Sequence, residues 1–368
     1  MSTAATLRRV HRRRLATQLV TSPAPERGAD VVRRLLAVQS QDAPMAAWSL
    51  GMRMAAGTTH ADVLGEQAAG GWVRTHVLRP TWHHVAPEDV RWLQRLTGPR
   101  VEASMGARHR QLGLDERARD RAVEVLGELV ADRSHPTRRE LAAQMAARGL
   151  PASGEQVGHQ LMVAEVRGVI CSGPPRGAEH TYALVDHVAT PSPCDDLDEE
   201  SARVELVRRF VRGHGPATDR DLVRWSTLNL GQVRAAMTAL AGDVESVEVD
   251  GQMLWFDPSV PTPATRRPGA LLVPAFDELT LTYPDHAVPR RDPTTTRPRI
   301  VNAIGGGAVL LGGEDIAAWS RRVTRSAVEV RVAPDVPLSP DDVDAVERAA
   351  SHLGRFLGLP ARLEVTAG

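Results

Sequence analysis

His135–Leu141, H-P-T-R-R-E-L, opens the passage on which the fold reading of this 368-residue chain turns. Thr137 is a helix N-cap by residue type. Glu140 stands three residues later, the spacing at which two side chains satisfy each other's exposed backbone N–H groups in a capping box. A second helix is expected over Gly154–Arg167. Two short apolar runs follow, Gly168–Gly173 (G-V-I-C-S-G) and Thr181–Val185 (T-Y-A-L-V), joined by a Gly/Pro/Arg segment that reads as a turn between strands. Helix, helix, hairpin is the order of a winged helix, a helix-turn-helix with a β-wing.

Working outward, the same order recurs. Thr218-Asp219-Arg220-Asp221-Leu222 again places an acid three residues after a cap candidate and leads into V-R-W-S. Gly231–Leu240 supplies a further helix. Val244–Val249 and Met253–Phe256 flank Asp250-Gly251, a strong tight-turn signal. The acidic, proline-containing stretch Pro191–Glu200 reads as the linker between the copies, and Pro258–Pro268 as the next boundary. Beyond it come short strands around Ala270–Pro274, Ile300–Leu311 and Val328–Val332, a helix over 340–357 and a last strand near Arg362–Val365. The expected architecture is α+β: tandem winged helices followed by a β-rich segment.

Toward the N-terminus, residues 7–19 place Leu7, Val10, Leu15 and Leu19 on one helical face and Arg8, Arg9, Arg12, Arg13 and Arg14 on the other. An apolar helix over Asp30–Val38 runs into A-V-Q-S-Q-D-A-P. Gln39 and Gln41 would point apart on a helix, by roughly 200° per two-residue step. On extended backbone they would share a face, and Pro44 disfavours a helix through this point. Met45–Met54 resumes as helix, carrying Trp48 and Arg53. Residues 72–85, W-V-R-T-H-V-L-R-P-T-W-H-H-V, read as a strand pair with Pro80 at the turn. If 79–85 is extended, Arg79, Thr81, His83 and Val85 share one face.

Composition narrows the function classes. With 42% hydrophobic and 24% charged residues the chain is an ordinary soluble globular protein. Its formal net charge is zero, which argues against a general nucleic-acid binder, yet residues 1–100 hold 14 arginines against 7 acids and the remainder 31 against 38. Attraction to phosphate is therefore expected from the N-terminal third. There is no lysine, so every strong cation is an arginine fork. The two cysteines, Cys171 and Cys194, form neither a metal-ligand spacing nor a disulfide framework. No apolar run is long enough to span a membrane, and no signal segment is visible at the N-terminus. A cytoplasmic monomer needing neither metal nor cofactor is expected.

The segment A-V-Q-S-Q-D-A-P resembles the Q-x-Q motif of the AlkZ-like winged-helix DNA glycosylases. R-P-T-W-H-H-V resembles their R-G-T-x-H-x-V pattern, with Pro80 where glycine is usual. L-L-V-P-A-F-D-E resembles their L-L-P-x-F-D-E element, matched by Phe276, Asp277 and Glu278 and read here as structural. The resemblance implies a winged helix carrying the catalytic motif over 1–115, a second over 116–195, a third over 196–265 and a C-terminal β-rich segment over 266–368. It implies a concave surface for double-stranded DNA, with a hairpin probing the minor groove. Gln39 and Gln41 would be catalytic. Asp42, Trp48, Arg53, Arg79, Thr81 and His83 would line the cleft or touch DNA, and the loop Pro284–Arg299, with Arg290, Arg291, Arg297 and Arg299, could touch the backbone.

The activity so implied is monofunctional hydrolysis of bulky N7-alkylguanine adducts or interstrand crosslinks, in repair and self-resistance to a genotoxic natural product. Asp42 is the alternative base, but it is out of register with the Q-x-D arrangement of some relatives. The competing reading is a DNA-binding transcription regulator, because winged helices most often read DNA and a fold does not fix a function. Against it stand the absence of a dimerisation helix and of a strongly basic recognition helix. A metal hydrolase is disfavoured because no cluster of His, Cys or acids has ligand spacing.

Overall fold

The computed structural model describes residues 3–21, 24–177, 179–261, 269–283, 288–295 and 305–366. Helix α1 (Thr3–Thr17) precedes α2 (Gly28–Leu35), whose Val31, Val32 and Leu35 are fully buried. α2 stops at Leu35 rather than continuing to Val38. Leu36 adopts a left-handed φ of 64°, which a right-handed helix cannot absorb. Ala37–Gln39 leaves as strand β1. α3 (Ala43–Gly51) is capped by Asp42 and carries Pro44 in its first turn, where a missing N–H costs nothing. After α4 (His60–Ala68), β2 (Val73–His76) and β3 (Trp82–Val85) form a hairpin, and β1 adds to β3 to give an antiparallel sheet of order β1-β3-β2. α5 (Val90–Ser104) and α6 (Gly106–Gln111) follow.

The next unit is α7 (Glu116–Val130), α8 (Arg138–Ala147), α9 (Gly154–Val166) and the hairpin β4 (Ile170–Ser172)/β5 (Tyr182–Leu184). The capping box forms as read: Thr137 N–H donates to Glu140 Oε2 at 2.7 Å and Glu140 N–H to Thr137 Oγ1 at 3.3 Å. Leu126, Leu141, Met145, Leu161, Ile170 and Tyr182 give this unit a core of its own.

Short α10 (Val185–Val188) leads to α11 (Glu199–His214), a helix the sequence reading missed because its acidic start looked like linker. Asp198 caps α11, and the acids of its first turn suit the helix dipole. α12 (Asp219–Ser226), α13 (Leu230–Ala239) and the hairpin β6 (Glu245–Val249)/β7 (Gln252–Phe256) repeat the helix–helix–hairpin order. The hairpin turns at Asp250 (φ 48°) and Gly251 (φ 74°), the paired positive φ values of a type I′ turn.

The last part comprises β8 (Leu271–Pro274), α14 (Glu278–Leu281), β9 (Gly306–Leu311), β10 (Glu314–Val323), β11 (Val328–Pro334), α15 (Pro340–Leu357) and β12 (Ala361–Val365). The sheet order is β12-β11-β10-β9-β8; α15 crosses over to place β12 parallel to β11, and the other pairs are antiparallel. This sheet shares one core with α2 and α3, including Trp48, Leu50, Val273, Trp319 and Phe356. Two ends of the chain thus bury a common interior.

That shared core corrects two site expectations. Trp48 is 2% exposed, donates its indole N–H to Leu272 O at 2.7 Å and packs against Phe356, so it belongs to the core and not to a cleft shared with the glutamines. α3 is apolar on all sides, and such a helix is buried all round. Arg53 is 1% exposed; Nη1 and Nη2 each lie 2.7 Å from Asp277, and Nε donates to Gln18 O at 2.9 Å. A buried guanidinium must be paired in this way, and here its partner is the aspartate of the F-D-E element.

The expected phosphate contacts are also redistributed. Arg8, Arg9 and Arg12 are exposed on α1, whereas Arg13 lies over the Phe256 ring at 3.9 Å and Arg14 over Tyr283 at 3.8 Å. Arg290 lies 3.8 Å from Asp315, and Arg291 pairs with Glu314 at 3.2 Å and Asp342 at 2.7 Å, so both serve the sheet rather than a free loop. Arg297 and Arg299, with residues 284–287, 296–304 and 262–268 of the two expected loops, lie outside the described residues.

Candidate active site

The Q-x-Q segment is not helical: Gln39 ends strand β1, and Gln41 follows in a bend before α3. Within the sheet Gln39 stands opposite His83, and His83 opposite Thr75. The strand line continues past β1, since Ser40 N–H donates to Trp82 O at 2.7 Å. The two glutamines are held very differently. Gln39 is 8% exposed; its Oε1 accepts from Arg79 Nη2 at 2.9 Å and its backbone N–H donates to Glu278 Oε1 at 3.0 Å. Gln41 is exposed, and its Oε1 meets only Trp82 N–H, at 3.4 Å.

Arg79, Thr81 and His83 do gather beside Gln39, though not on one extended strand. Strand geometry begins only at Trp82, after Leu78 has turned the chain with a φ of 63°. Arg79 spans the group: Nη1 donates to Trp225 O at 3.0 Å, and Nη2 faces His83 Nε2 at 3.2 Å as well as Gln39. Because arginine only donates, His83 Nε2 is the acceptor, and Nδ1–H donates to Thr81 O at 2.9 Å. Burial, and after it the Arg79 charge, hold His83 well below the usual histidine range, so it is a neutral imidazole. The Thr81 hydroxyl is buried with no hydrogen-bond partner among the described residues.

Beneath Gln39 lies Glu278, fully buried. Besides Gln39 N–H it accepts from Trp225 Nε1–H at 2.9 Å and Thr282 Oγ1–H at 3.2 Å, and His214 Nε2 is 3.5 Å away. Burial alone would raise its pKa; His214, Arg79 and the Gln39 N–H outweigh that and hold it at about 2. Reading the F-D-E element as a structural cap missed this reach to the motif, and only the resemblance marked the glutamate at all. Asp42 is occupied as the cap of α3: Oδ1 accepts from Met45 N–H at 3.3 Å and Oδ2 from Gly305 N–H at 3.1 Å.

The chemistry on offer is specific. Every ionisable group at Gln39 is fixed in one state: an arginine cation, a neutral histidine, a deprotonated glutamate. None is poised to donate a proton near neutral pH, while the amide oxygens can accept hydrogen bonds. An apolar cavity of about 430 Å³, lined in part by Trp48, Met52 and Leu271, lies on the other side of α3 and does not include the glutamines. Among the described residues no three His, Cys, Asp or Glu side chains converge on a possible metal site, and no helix is long and apolar enough to cross a membrane.

This is an α+β chain with a neutral Q-x-Q segment at the meeting of its units. The chain belongs to the AlkZ-like DNA glycosylase family, whose model matches residues 32–356, and it is a DNA glycosylase. It is 25% identical over 391 aligned positions to the interstrand DNA cross-link repair glycosylase of Streptomyces sahachiroi, covering 98% of this chain and 99% of the relative. The solved structure of the Streptomyces sahachiroi DNA glycosylase AlkZ superposes with a TM-score of 0.76 at 24% identity, covering 97% of this chain and 99% of that one. Membership in a glycosylase family displaces the non-catalytic regulator reading.

Proposed function

We propose that the protein hydrolyses the N-glycosidic bond of bulky N7-alkylguanine adducts, interstrand crosslinks included, in double-stranded DNA, with Gln39 and Gln41 as its catalytic residues. The observation that carries the reading is the absence of a proton donor around Gln39, among the described residues. An N7-alkylguanine is already cationic: when C1′–N9 breaks, the electron pair passes to N9 and neutralises the base, so no general acid is required. What remains is to place a water at C1′ and favour the developing oxocarbenium ion. Amide oxygens do both, by accepting from the water and by directing their dipoles at the cation. Arg79 occupies one lone pair of Gln39 Oε1 and fixes its direction; an amide oxygen has a second lone pair with which it would accept from the water. Gln41, exposed just beyond the strand, supplies the second acceptor.

The relative's activity on interstrand crosslinks supports a bulky lesion, and such a lesion cannot easily be flipped into a closed pocket. The two helix–helix–hairpin units and the N-terminal unit are proposed to act as winged helices cradling the duplex on a concave surface. Their boundaries are proposed near residues 115, 195 and 265. The chain is proposed to act as a cytoplasmic monomer, without metal or cofactor, and to protect its host from an alkylating natural product. With no lysine in the chain, a lysine Schiff base cannot form; only the N-terminal amine could supply one and nothing points to it, so the expected product is an intact abasic site.

The test is a single-turnover incubation with duplex DNA carrying one N7-alkylguanine, scored by alkaline strand cleavage. The double variant Gln39→Ala/Gln41→Ala should lose on the order of 100-fold or more in rate, in line with removal of pre-organised charge-stabilising groups, and keep its duplex Kd within a few-fold. A large loss of affinity would make the glutamines binding groups; no release by wild type with any adduct size would overturn the substrate assignment.

A further inference from the structure

The backbone between the two glutamines is gripped by a residue that the proposed chemistry does not use. Arg74, on β2 and 9% exposed, donates to Ser40 O twice, from Nε at 3.1 Å and Nη2 at 2.9 Å. Ser40 N–H is taken by Trp82 O at 2.7 Å, so both ends of the residue between Gln39 and Gln41 are fixed. The guanidinium carbon lies over the Trp82 ring, 4.2 Å from its centroid. Its third branch, Nη1, meets His180 Nδ1 at 2.8 Å.

His180 belongs to the second unit, in the segment between β4 and β5. Its tautomer follows from its partners: Nδ1 must accept from Arg74, so Nε2–H donates to Ser172 Oγ at 3.0 Å. Burial and then the Arg74 charge hold its pKa at about 4, which keeps the ring a neutral acceptor near neutral pH. The second unit also orients Trp82. Buried Glu165 of α9 accepts from Trp82 Nε1–H at 3.4 Å and pairs with His76, whose ring packs against Trp82 at 4.7 Å. Two separate side chains of that unit therefore set the arginine and the plate on which it stacks.

We propose that Arg74 is a positioning residue for the Q-x-Q strand, oriented from the second unit by His180, so that alignment of Gln41 depends on contact between the two units. The proposal rests on the glutamines being the catalytic groups. It assigns Arg74 no contact with DNA or water; its effect passes through the Ser40 carbonyl.

Two variants test it. Arg74→Met keeps length and the apolar stack on Trp82 but removes every donor. His180→Phe keeps a ring against Tyr182 and Trp82 but removes the acceptor. Each is read by amide hydrogen exchange of the segment 36–42 and by single-turnover rate at saturating duplex, with Kd measured alongside. Val38→Ala, a cavity in the same strand, is the control for simple loosening of the core. The expected result is at least a tenfold loss of exchange protection at 36–42 and at least a tenfold loss of rate for Arg74→Met. His180→Phe should show smaller losses of the same kind, the double variant should be no worse than Arg74→Met, and Kd should stay within threefold. Val38→Ala should leave the rate unchanged. Unchanged protection in Arg74→Met overturns the proposal whether or not wild type releases base. Lost protection with a wild-type rate overturns the positioning role while leaving the glutamine chemistry standing. A wild type that releases no base sinks the parent reading instead, and the exchange data then still decide whether Arg74 holds the strand.

Discussion

The two faces of the small β1-β3-β2 sheet are supported by different parts of the chain. On one face Gln39 and His83 meet Arg79 of the β2–β3 turn, and behind them stand Trp225 of the third helical unit and Glu278 of the C-terminal part. On the other, Arg74, His76 and Trp82 meet Glu165 and His180 of the second unit. The first face has the Glu278 carboxylate at its centre, held ionised by its partners; the second is built around an arginine that donates to the neutral His180 imidazole, with Glu165 paired to His76 beside it. Each holds a different part of the motif, Gln39 from Glu278 and the Ser40–Gln41 step from Arg74. A strand of three residues is too short to fix its own side chains, so the surrounding units must do so.

The strongest way to break the comparison is at Glu278. Glu278→Gln keeps an acceptor for Gln39 N–H but turns an amide donor toward the Trp225 indole and His214, leaving donors facing donors. The buried mismatch should cost on the order of 2–4 kcal/mol in urea unfolding, from an unmet hydrogen bond and a lost charge partner. Excision should fall at least tenfold, with Arg74-dependent protection at 36–42 intact. Equal damage on both faces would show that the sheet responds as one body.

Acid should separate the faces next. His84 and His180, whose folded pKa values lie at about 3 and about 4, are depressed below the ordinary 6.5. The unfolded chain binds their protons first, so the stability they confer is fully present above pH 6.5 and is lost as pH falls toward 4 and 3. Glu278, at about 2 against an ordinary 4.5, contributes stability present above pH 4.5 and lost as pH falls toward 2. By the conversion of pKa shift to free energy, His180 and Glu278 are each worth up to about 3 kcal/mol and His84 up to about 5 kcal/mol. Urea midpoints measured from pH 7 to pH 3 should therefore decline first in the histidine window. His180→Phe should make the decline between pH 6.5 and pH 4 shallower, leaving the His84 share, and leave the lower part unchanged; a wild-type midpoint that stays flat through that window would contradict the assignment of neutral histidines.

The smallest effect is expected far from both faces. Arg291→Ala removes two partly exposed ion pairs at the C-terminal sheet and should change stability by about 1 kcal/mol or less. Duplex affinity and its salt slope should not move; a slope reduced by about one unit would restore Arg291 as a phosphate contact.

Local chemistry made much of this legible. The Thr137–Glu140 box, the Asp250-Gly251 turn, the strand pair within 72–85 and the break of helix before Gln39 all follow from signals spanning a few residues. Position in the interior did not. Trp48 and Arg53 belong to a stretch with no polar face to say what it meets, and their partners lie 224 residues away in the chain. The roles of Arg74 and Glu278 depend on carbonyls and N–H groups 34 and 239 residues distant, which no pattern of spacing announces. α11 was missed for the opposite reason: its acids, a good helix start, resembled a linker.

The core that α2 and α3 share with the C-terminal sheet has a consequence for making hybrids within this family. A chimera joined near residue 265 would bring Leu272, Asp277 and Phe356 from one parent to Trp48 and Arg53 of another. Both ends of the chain must then come from the same parent, and the middle two units are the natural cassette to exchange. That exchange would change the partners of Arg74 while leaving those of Arg53 untouched.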